Sequence, residues 1–400
     1  MSTLLLARQL LTPLERIDNA ALLIEDGIIA AVGPRASVAV PLKGRVVDFG
    51  DAILVPGLID IHLHGGAGHD VMEGSEEGLA AIEHMMARHG VTSYCPTTVT
   101  APLDQTLWSL EALGGAVARA ESNGHSDSPR ARPIGIHLEG PFLSQARRGV
   151  HPPLYLQPPS IAVFNQMWEA AAGRVRVLTI APELEGALDL IREASRRGVC
   201  VSIGHSNATL AQGLAGIQAG ARHATHSFNA MRRLDHRDPG LLGAILTDRT
   251  VTADIIVDGL HVEPVVVDLF MRAKGADGAV LISDGISATG MPDGTYHLGS
   301  FEVQVQGSRC ESFGKLAGSV LTLDRAVQNT MKFAQLSFQD SLRMATLNPA
   351  RVLGLAHRKG VLQAGADADI SVFSRDGQVL QTIVGGRVNG HSTQGRVPPA

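Results

Sequence analysis

Ile59-Asp60-Ile61-His62-Leu63-His64 is an apolar run that closes on two histidines, and the chain repeats this design. Ile136-His137-Leu138-Glu139 closes on a carboxylate. Val201-Ser202-Ile203-Gly204-His205 and His223-Ala224-Thr225-His226 close on imidazoles, and Leu281-Ile282-Ser283-Asp284 on a carboxylate again. These belong to eight apolar runs, at residues 58–63, 92–99, 133–138, 175–180, 199–203, 223–226, 251–257 and 279–283. Amphipathic, helix-like stretches lie between them, at 76–89, 103–120, 184–197, 208–219 and 264–274. Eight buried strands with helical spacers are what a (β/α)8 TIM barrel requires. An open doubly wound sheet shows the same alternation, so periodicity alone leaves closure undecided. The ligand-type residues favour the barrel, because strand C-termini there converge on one mouth.

The two ends of the chain read differently. Short strand-like runs and turns fill residues 3–53, including Asp26-Gly27, and the same style resumes at 360–388 with a turn at Asp376-Gly377. Neither end can bury a core by itself, so the expected organisation is a small β-sandwich domain made of residues 1–54 and 355–400. Residues 55–354 would form the barrel. Residues 122–132 read as a polar loop, and 294–318 as a hairpin insertion after the last barrel strand.

Composition narrows the function. The 400 residues carry a formal charge of −5, with 44% hydrophobic and 18% charged residues. Such a chain has no overall basic field to hold nucleic acid or an anionic membrane. Cys95, Cys200 and Cys310 show no paired spacing, which argues against a disulfide framework or a thiolate zinc site and for reduced thiols. The N-terminal apolar stretch is short and lacks a basic leader, and no run is long enough to span a bilayer. A soluble, cytoplasmic protein is expected.

Imidazole and carboxylate are the ligands that a borderline divalent metal accepts. Taken singly, each residue has a plainer explanation. His62 and His64 share one strand face and could be a polar rim. Glu139 could be solvated surface, His205 and His226 core histidines bonded to backbone, and Asp284 a turn former before Gly285. Six ligand-type residues at the ends of five runs, taken in strand order, outweigh those separate explanations. A divalent metal, zinc or iron, is therefore the expected cofactor.

The string Pro56-Gly57-Leu58-Ile59-Asp60-Ile61-His62-Leu63-His64-Gly65-Gly66 resembles the first-strand signature of the amidohydrolase superfamily. His137-Leu138-Glu139-Gly140-Pro141-Phe142, Gly204-His205-Ser206-Asn207-Ala208, Thr225-His226-Ser227-Phe228-Asn229-Ala230-Met231 and Val257-Asp258-Gly259-Leu260-His261 resemble one family within it, the N-acetylglucosamine-6-phosphate deacetylases. Asn348-Pro349-Ala350 and Gly365-Ala366-Asp367-Ala368-Asp369 extend the resemblance over essentially the whole chain. It implies that Glu139, His205 and His226 hold the main metal and that Asp284 is the catalytic acid and base. Many binuclear relatives bridge their metals with a carboxylated lysine on the fourth strand. The fourth run here, residues 175–183, has no lysine, which leaves Glu139 as the bridge. The expectation is one tight metal, with a second held by His62 and His64.

The same resemblance assigns the substrate side. Arg237, Asn229, the backbone N–H of Ala230, and His261 would cradle a phosphate, with Arg237 reaching across a homodimer interface. Arg232 and Arg233 are close enough in sequence to compete for that role. His151 would contact the sugar. The implied reaction releases acetate from N-acetyl-D-glucosamine 6-phosphate. The galactosamine epimer or another amide is the alternative substrate, and a non-catalytic scaffold the alternative class. Nucleic-acid deamination lacks its His-x-Glu plus Pro-Cys-x-x-Cys arrangement.

Overall fold

The computed structural model describes residues 2–122 and 130–388. The rest of the expected 122–132 loop and the last residues of the expected C-terminal segment lie outside the described residues. The barrel strands are β1 (Leu58–Leu63), β2 (Val91–Thr98), β3 (Ile136–Glu139), β4 (Val175–Ile180), β5 (Cys200–Ile203), β6 (His223–Ala224), β7 (Ala253–Ile256) and β8 (Ala279–Ile282). β1 to β6 form one continuous parallel ladder, and β7 pairs in parallel with β8. Almost every residue of these strands is buried, which is why they read as unbroken apolar runs rather than alternating ones.

Two seams close the ring. Between β6 and β7, Thr252 N–H donates to the Arg222 carbonyl at 3.0 Å and Ser227 N–H to that of Asp254 at 2.9 Å. Between β8 and β1, Asp284 N–H donates to the His62 carbonyl at 3.0 Å and His64 N–H to that of Gly285 at 2.8 Å. The fold is thus a distorted TIM barrel. Its interior carries a polar layer: His137 Nδ1 donates to the Ile61 carbonyl at 2.9 Å, and Nε2 lies 2.7 Å from Thr179 Oγ1. Thr179 bonds to Thr225 at 2.8 Å, and Thr225 to Ser202. Burial holds the His137 imidazole well below its ordinary pKa, so it is neutral.

Helices Glu76–Arg88, Leu103–Ser122, Ala187–Arg196, Leu210–Ala219 and Pro264–Gly278 stand where helix-like stretches were expected. Others run over Ile161–Ala170, Gly240–Thr247, Leu323–Ala334, Phe338–Ala345 and Leu347–Val352. The insertion after β8 is a four-stranded antiparallel meander beginning at Gly294–Leu298.

The chain ends meet in one seven-stranded sheet. Its central strand, Ser2–Leu11, pairs antiparallel with Arg16–Glu25. That strand turns at Asp26-Gly27, both at positive φ (49° and 82°), into Ile28–Pro34. Asp-Gly suits a tight hairpin because both residues tolerate the left-handed region. The other edge of the central strand takes two parallel partners in succession, Gly44–Asp48 and then Ile53–Pro56. Ile53–Pro56 in turn pairs antiparallel with Ile370–Phe373. Leu5, Leu10, Leu22, Leu54, Ile370 and Val372 belong to one core cluster on this sheet. No helix among the described residues is long and apolar enough to cross a membrane.

Candidate active site

His205, His226 and Asp284 each lie two residues past the end of a strand. All three have left-handed backbone, with φ of 46°, 27° and 50°. Side chains other than glycine rarely adopt this conformation, and it recurs where structure over-determines a functional residue. The sharp turn lets a side chain leave the strand direction and point across the barrel mouth. His62 and His64 lie at the end of β1, and Glu139 is the last residue of β3.

Glu139 is the centre of the site. Its Oε1 lies 3.1 Å from His205 Nε2 and 2.9 Å from His226 Nε2. Its Oε2 lies 3.2 Å from His64 Nε2, 3.5 Å from His62 Nε2 and 3.4 Å from His151 Nε2. Asp284 Oδ1 faces the β1 pair, 3.5 Å from His62 Nε2 and 3.3 Å from His64 Nε2. All seven side chains are buried. Nitrogen and oxygen donors converge in two groups, His62–His64–Asp284 and Glu139–His151–His205.

Tautomers separate ligands from donors. His205 Nδ1 donates to the Arg147 carbonyl and His64 Nδ1 to the Thr97 carbonyl, each at 3.0 Å. Each Nε2 is therefore the nitrogen aimed into the cluster, and it becomes a metal ligand once any proton it carries there is displaced. His151 is reversed. Its Nδ1 accepts the Thr100 N–H at 3.3 Å and lies 2.9 Å from Thr100 Oγ1, which puts its proton on Nε2. Despite its place among possible ligands, His151 is built as a hydrogen-bond donor. Gly149 lets its loop lie close: a Cβ there would stand 3.2 Å from His205 Cε1, and its φ is +59°.

Charge is distributed unevenly over the cluster. Burial opposes ionisation of Asp284, yet the hydrogen bond from His64 and the charges of His62, His64 and His226 hold its carboxyl down at about 2. Burial pushes His205 down to about 4, against the pull of Glu139. His226 goes the other way: burial disfavours its charged form, but the bond and charge of Glu139 carry it up to about 9. The donor set fits one or two divalent cations, whose binding would displace protons from such imidazoles.

The remaining expected residues occupy the surrounding loops. Asn229 and Ala230 are half-buried and follow directly from His226, with Ala230 at φ 51°. His261 Nδ1 donates to Asp258 Oδ2 at 2.7 Å. Arg237 is exposed, its backbone N–H on Asp235 Oδ1, while Arg232 is taken by an ion pair with Asp238. One chain does not bring Arg237 against the buried cluster. Asp60, Asp254 and His223, none of them expected as site residues, support it from behind. Asp60 Oδ1 accepts the N–H groups of His62 and Ser283 at 3.2 and 3.4 Å. A charged residue inside an otherwise apolar run was the available signal for Asp60 and Asp254.

Residues 53–388 match the amidohydrolase family. The chain is 37% identical over 389 residues to an N-acetylgalactosamine-6-phosphate deacetylase of Escherichia coli O157:H7, covering 97% of this chain and 99% of the relative. It is 38% identical over 337 residues to an N-acetylglucosamine-6-phosphate deacetylase of Lysinibacillus sphaericus, covering 84% and 85%. Among solved structures it resembles a mutant N-acetyl-D-glucosamine-6-phosphate deacetylase of Mycobacterium smegmatis in complex with N-acetyl-D-glucosamine-6-phosphate. That likeness has a TM-score of 0.89 at 34% identity and covers 96% of this chain and 98% of the other. With its donors gathered at the mouth of a closed barrel and matches running nearly end to end, the chain belongs to the amidohydrolase family, in the branch of the N-acetylhexosamine-6-phosphate deacetylases.

Proposed function

We propose that the protein hydrolyses the amide of N-acetyl-D-glucosamine 6-phosphate to acetate and D-glucosamine 6-phosphate. The observation that carries this reading is the Glu139 carboxylate shared by five imidazoles, with Asp284 facing it across the barrel mouth. Glu139, His205 and His226 would hold the main cation, zinc or iron, and His62 and His64, together with Glu139, would hold a second one. A cation held there lowers the pKa of water and polarises the amide carbonyl.

Asp284 is ionised and lies in reach of the cluster, so it can accept the proton that water loses on attacking the carbonyl carbon. It then returns that proton to the nitrogen as the C–N bond breaks, because an unprotonated amine leaves poorly. His151 offers its Nε2–H to an oxygen of the sugar or the acetyl group. Asn229, the Ala230 N–H and His261 line the approach for the phosphate. Arg237 completes it from the second subunit of a homodimer, since a guanidinium offers paired donors in one plane. Residues 55–354 would carry the chemistry, with 1–54 and 355–400 as a supporting domain. Three free cysteines and a phosphorylated substrate favour the cytoplasm.

The E. coli relative supports a second reading, the same hydrolysis of the galactosamine epimer, because its match covers more of this chain than the Lysinibacillus one. Acetate release is to be measured on both epimeric phosphates and on the unphosphorylated sugar, before and after chelation. One phosphorylated epimer should dominate, and chelation should abolish its turnover. Equal turnover of the unphosphorylated sugar, or none by metal-replete protein, would overturn the reading.

A further inference from the structure

His226 is aimed differently from His205 and His64. The rings of His205 and His64 are each held through Nδ1 by a backbone carbonyl. His226 Nδ1 is buried and has no hydrogen-bond partner among the described residues. Its direction must be set elsewhere, and the backbone is where contacts concentrate. The His226 N–H donates to Asp254 Oδ1, and the Ser227 N–H donates to the Asp254 carbonyl at 2.9 Å. Asp254 thus grips both peptide N–H groups of the turn that carries the unusual φ of 27°.

Asp254 is itself fixed. It is fully buried on β7, and its Oδ2 accepts from His223 Nε2 at 3.0 Å. His223 is likewise buried, and its Nδ1 lies 2.7 Å from Thr252 Oγ1. A carboxylate and a histidine in a barrel wall cost more to bury than an apolar pair of similar size. Packing alone does not explain them.

We infer that Asp254 is a positioning residue of the metal centre, holding the His226 backbone in the left-handed turn that points Nε2 at Glu139, with His223 fixing the carboxylate. The inference rests on the assignment of Glu139, His205 and His226 as metal ligands. It makes β7, which contributes no side chain to the cluster, the support for one of its ligands. Partners of this kind typically change metal affinity by about 10- to 100-fold when removed.

Two variants separate positioning from packing. In Asp254→Asn, Oδ1 still accepts from His226 and Nδ2–H can reach His223, so metal should be held as in the wild type. Asp254→Leu keeps the branched four-atom side chain and removes the acceptor, so the metal dissociation constant from chelator competition should rise about 10- to 100-fold. A merely structural role would lower the unfolding temperature of the metal-stripped protein and leave the affinity of the folded fraction unchanged. That result, or Asn failing as Leu does, would overturn the inference. Should Asp254→Leu not fold, hydrogen exchange of wild-type protein across residues 223–231 decides. The His226 amide should stay protected after chelation, and exchange at loop-like rates would remove the clamp. Wild-type protein that binds no metal would instead refute the ligand assignment, and the amide result would still stand by itself.

Discussion

The Nε2 atoms of His205 and His226 lie 3.0 Å apart, each within 3.1 Å of the same oxygen of Glu139. Two imidazole nitrogens and a carboxylate oxygen aimed at one point are what the proposed main-cation site needs, and the other Glu139 oxygen lies in the same way beside His62 and His64. In the proposed site Glu139 would therefore serve both halves, and each histidine pair one. Metal per chain, determined after saturating supply and dialysis, should approach two for the wild type and one for the double variant H62A and H64A. In E139A both should be lost. A wild type that never exceeds one metal would remove the second site.

Asp284 faces His62 and His64 and makes no hydrogen bond or ion pair with Glu139 or His205, so its removal should affect chemistry more than binding of the main cation. D284N should keep its metal and lower kcat by about 10²–10⁴-fold, the range for loss of a general acid or base. Metal analysis and steady-state kinetics on one preparation test this. Loss of metal in step with activity would make Asp284 chiefly a ligand.

His151 lies in the ligand-spaced group of Glu139 and His205, yet its Nδ1 accepts from Thr100. If its Nε2–H serves the substrate, H151A should leave metal content unchanged. Losing one such hydrogen bond costs about 1–2 kcal/mol, or roughly tenfold in kcat/KM. A metal-depleted H151A would instead make it a ligand.

The barrel and the centre of the site were legible because strands buried on both faces read as apolar runs, and a histidine or carboxylate at the end of such a run stands out. His62, His64, Glu139, His205, His226 and Asp284 were all visible that way. Closure was favoured only by those strand-end residues and not by periodicity, because the seams at Asp254 and at Gly285 are made by backbone hydrogen bonds. The helix Gly240–Thr247, mostly apolar in sequence, offers no amphipathic period to recognise. The left-handed turns at His205, His226 and Asp284 were hidden as well, since histidine and aspartate enter that region more often than most side chains but still only occasionally, and nothing in the sequence marks when they do. Arg237 was named from resemblance alone, and its exposure shows why one chain's sequence gives no physical signal for it.

Glu83 predicts a pH effect outside the site. Its side chain is buried beside Tyr94 Oη at 3.2 Å and Arg130 Nε at 3.4 Å. Burial pushes its carboxyl up to about 7, against the charge of Arg130 and the hydrogen bond of Tyr94. The folded protein thus keeps a proton that the unfolded chain releases near 4.5, so this group loses stability as pH rises through about 7. Glu83→Gln removes the titration and keeps an acceptor for Tyr94. Its unfolding free energy relative to wild type should climb between pH 5 and 8, by about 3 kcal/mol at the most. A difference that stays flat across that range would show that Glu83 ionises normally.

Arg237 tests the homodimer. If it reaches its partner's site, R237A should raise KM for the phosphorylated sugar far more than for the unphosphorylated one, because only the phosphate contact is lost. In a mixed dimer of R237A and D284N chains, the site built on the R237A chain keeps its own Asp284. It also receives Arg237 from its D284N partner, and is complete. Subunit exchange between the two weakly active variants should therefore restore activity to one site per mixed dimer. An arginine serving its own chain would leave both sites of that dimer defective, and mixing would give only the average of the two parents.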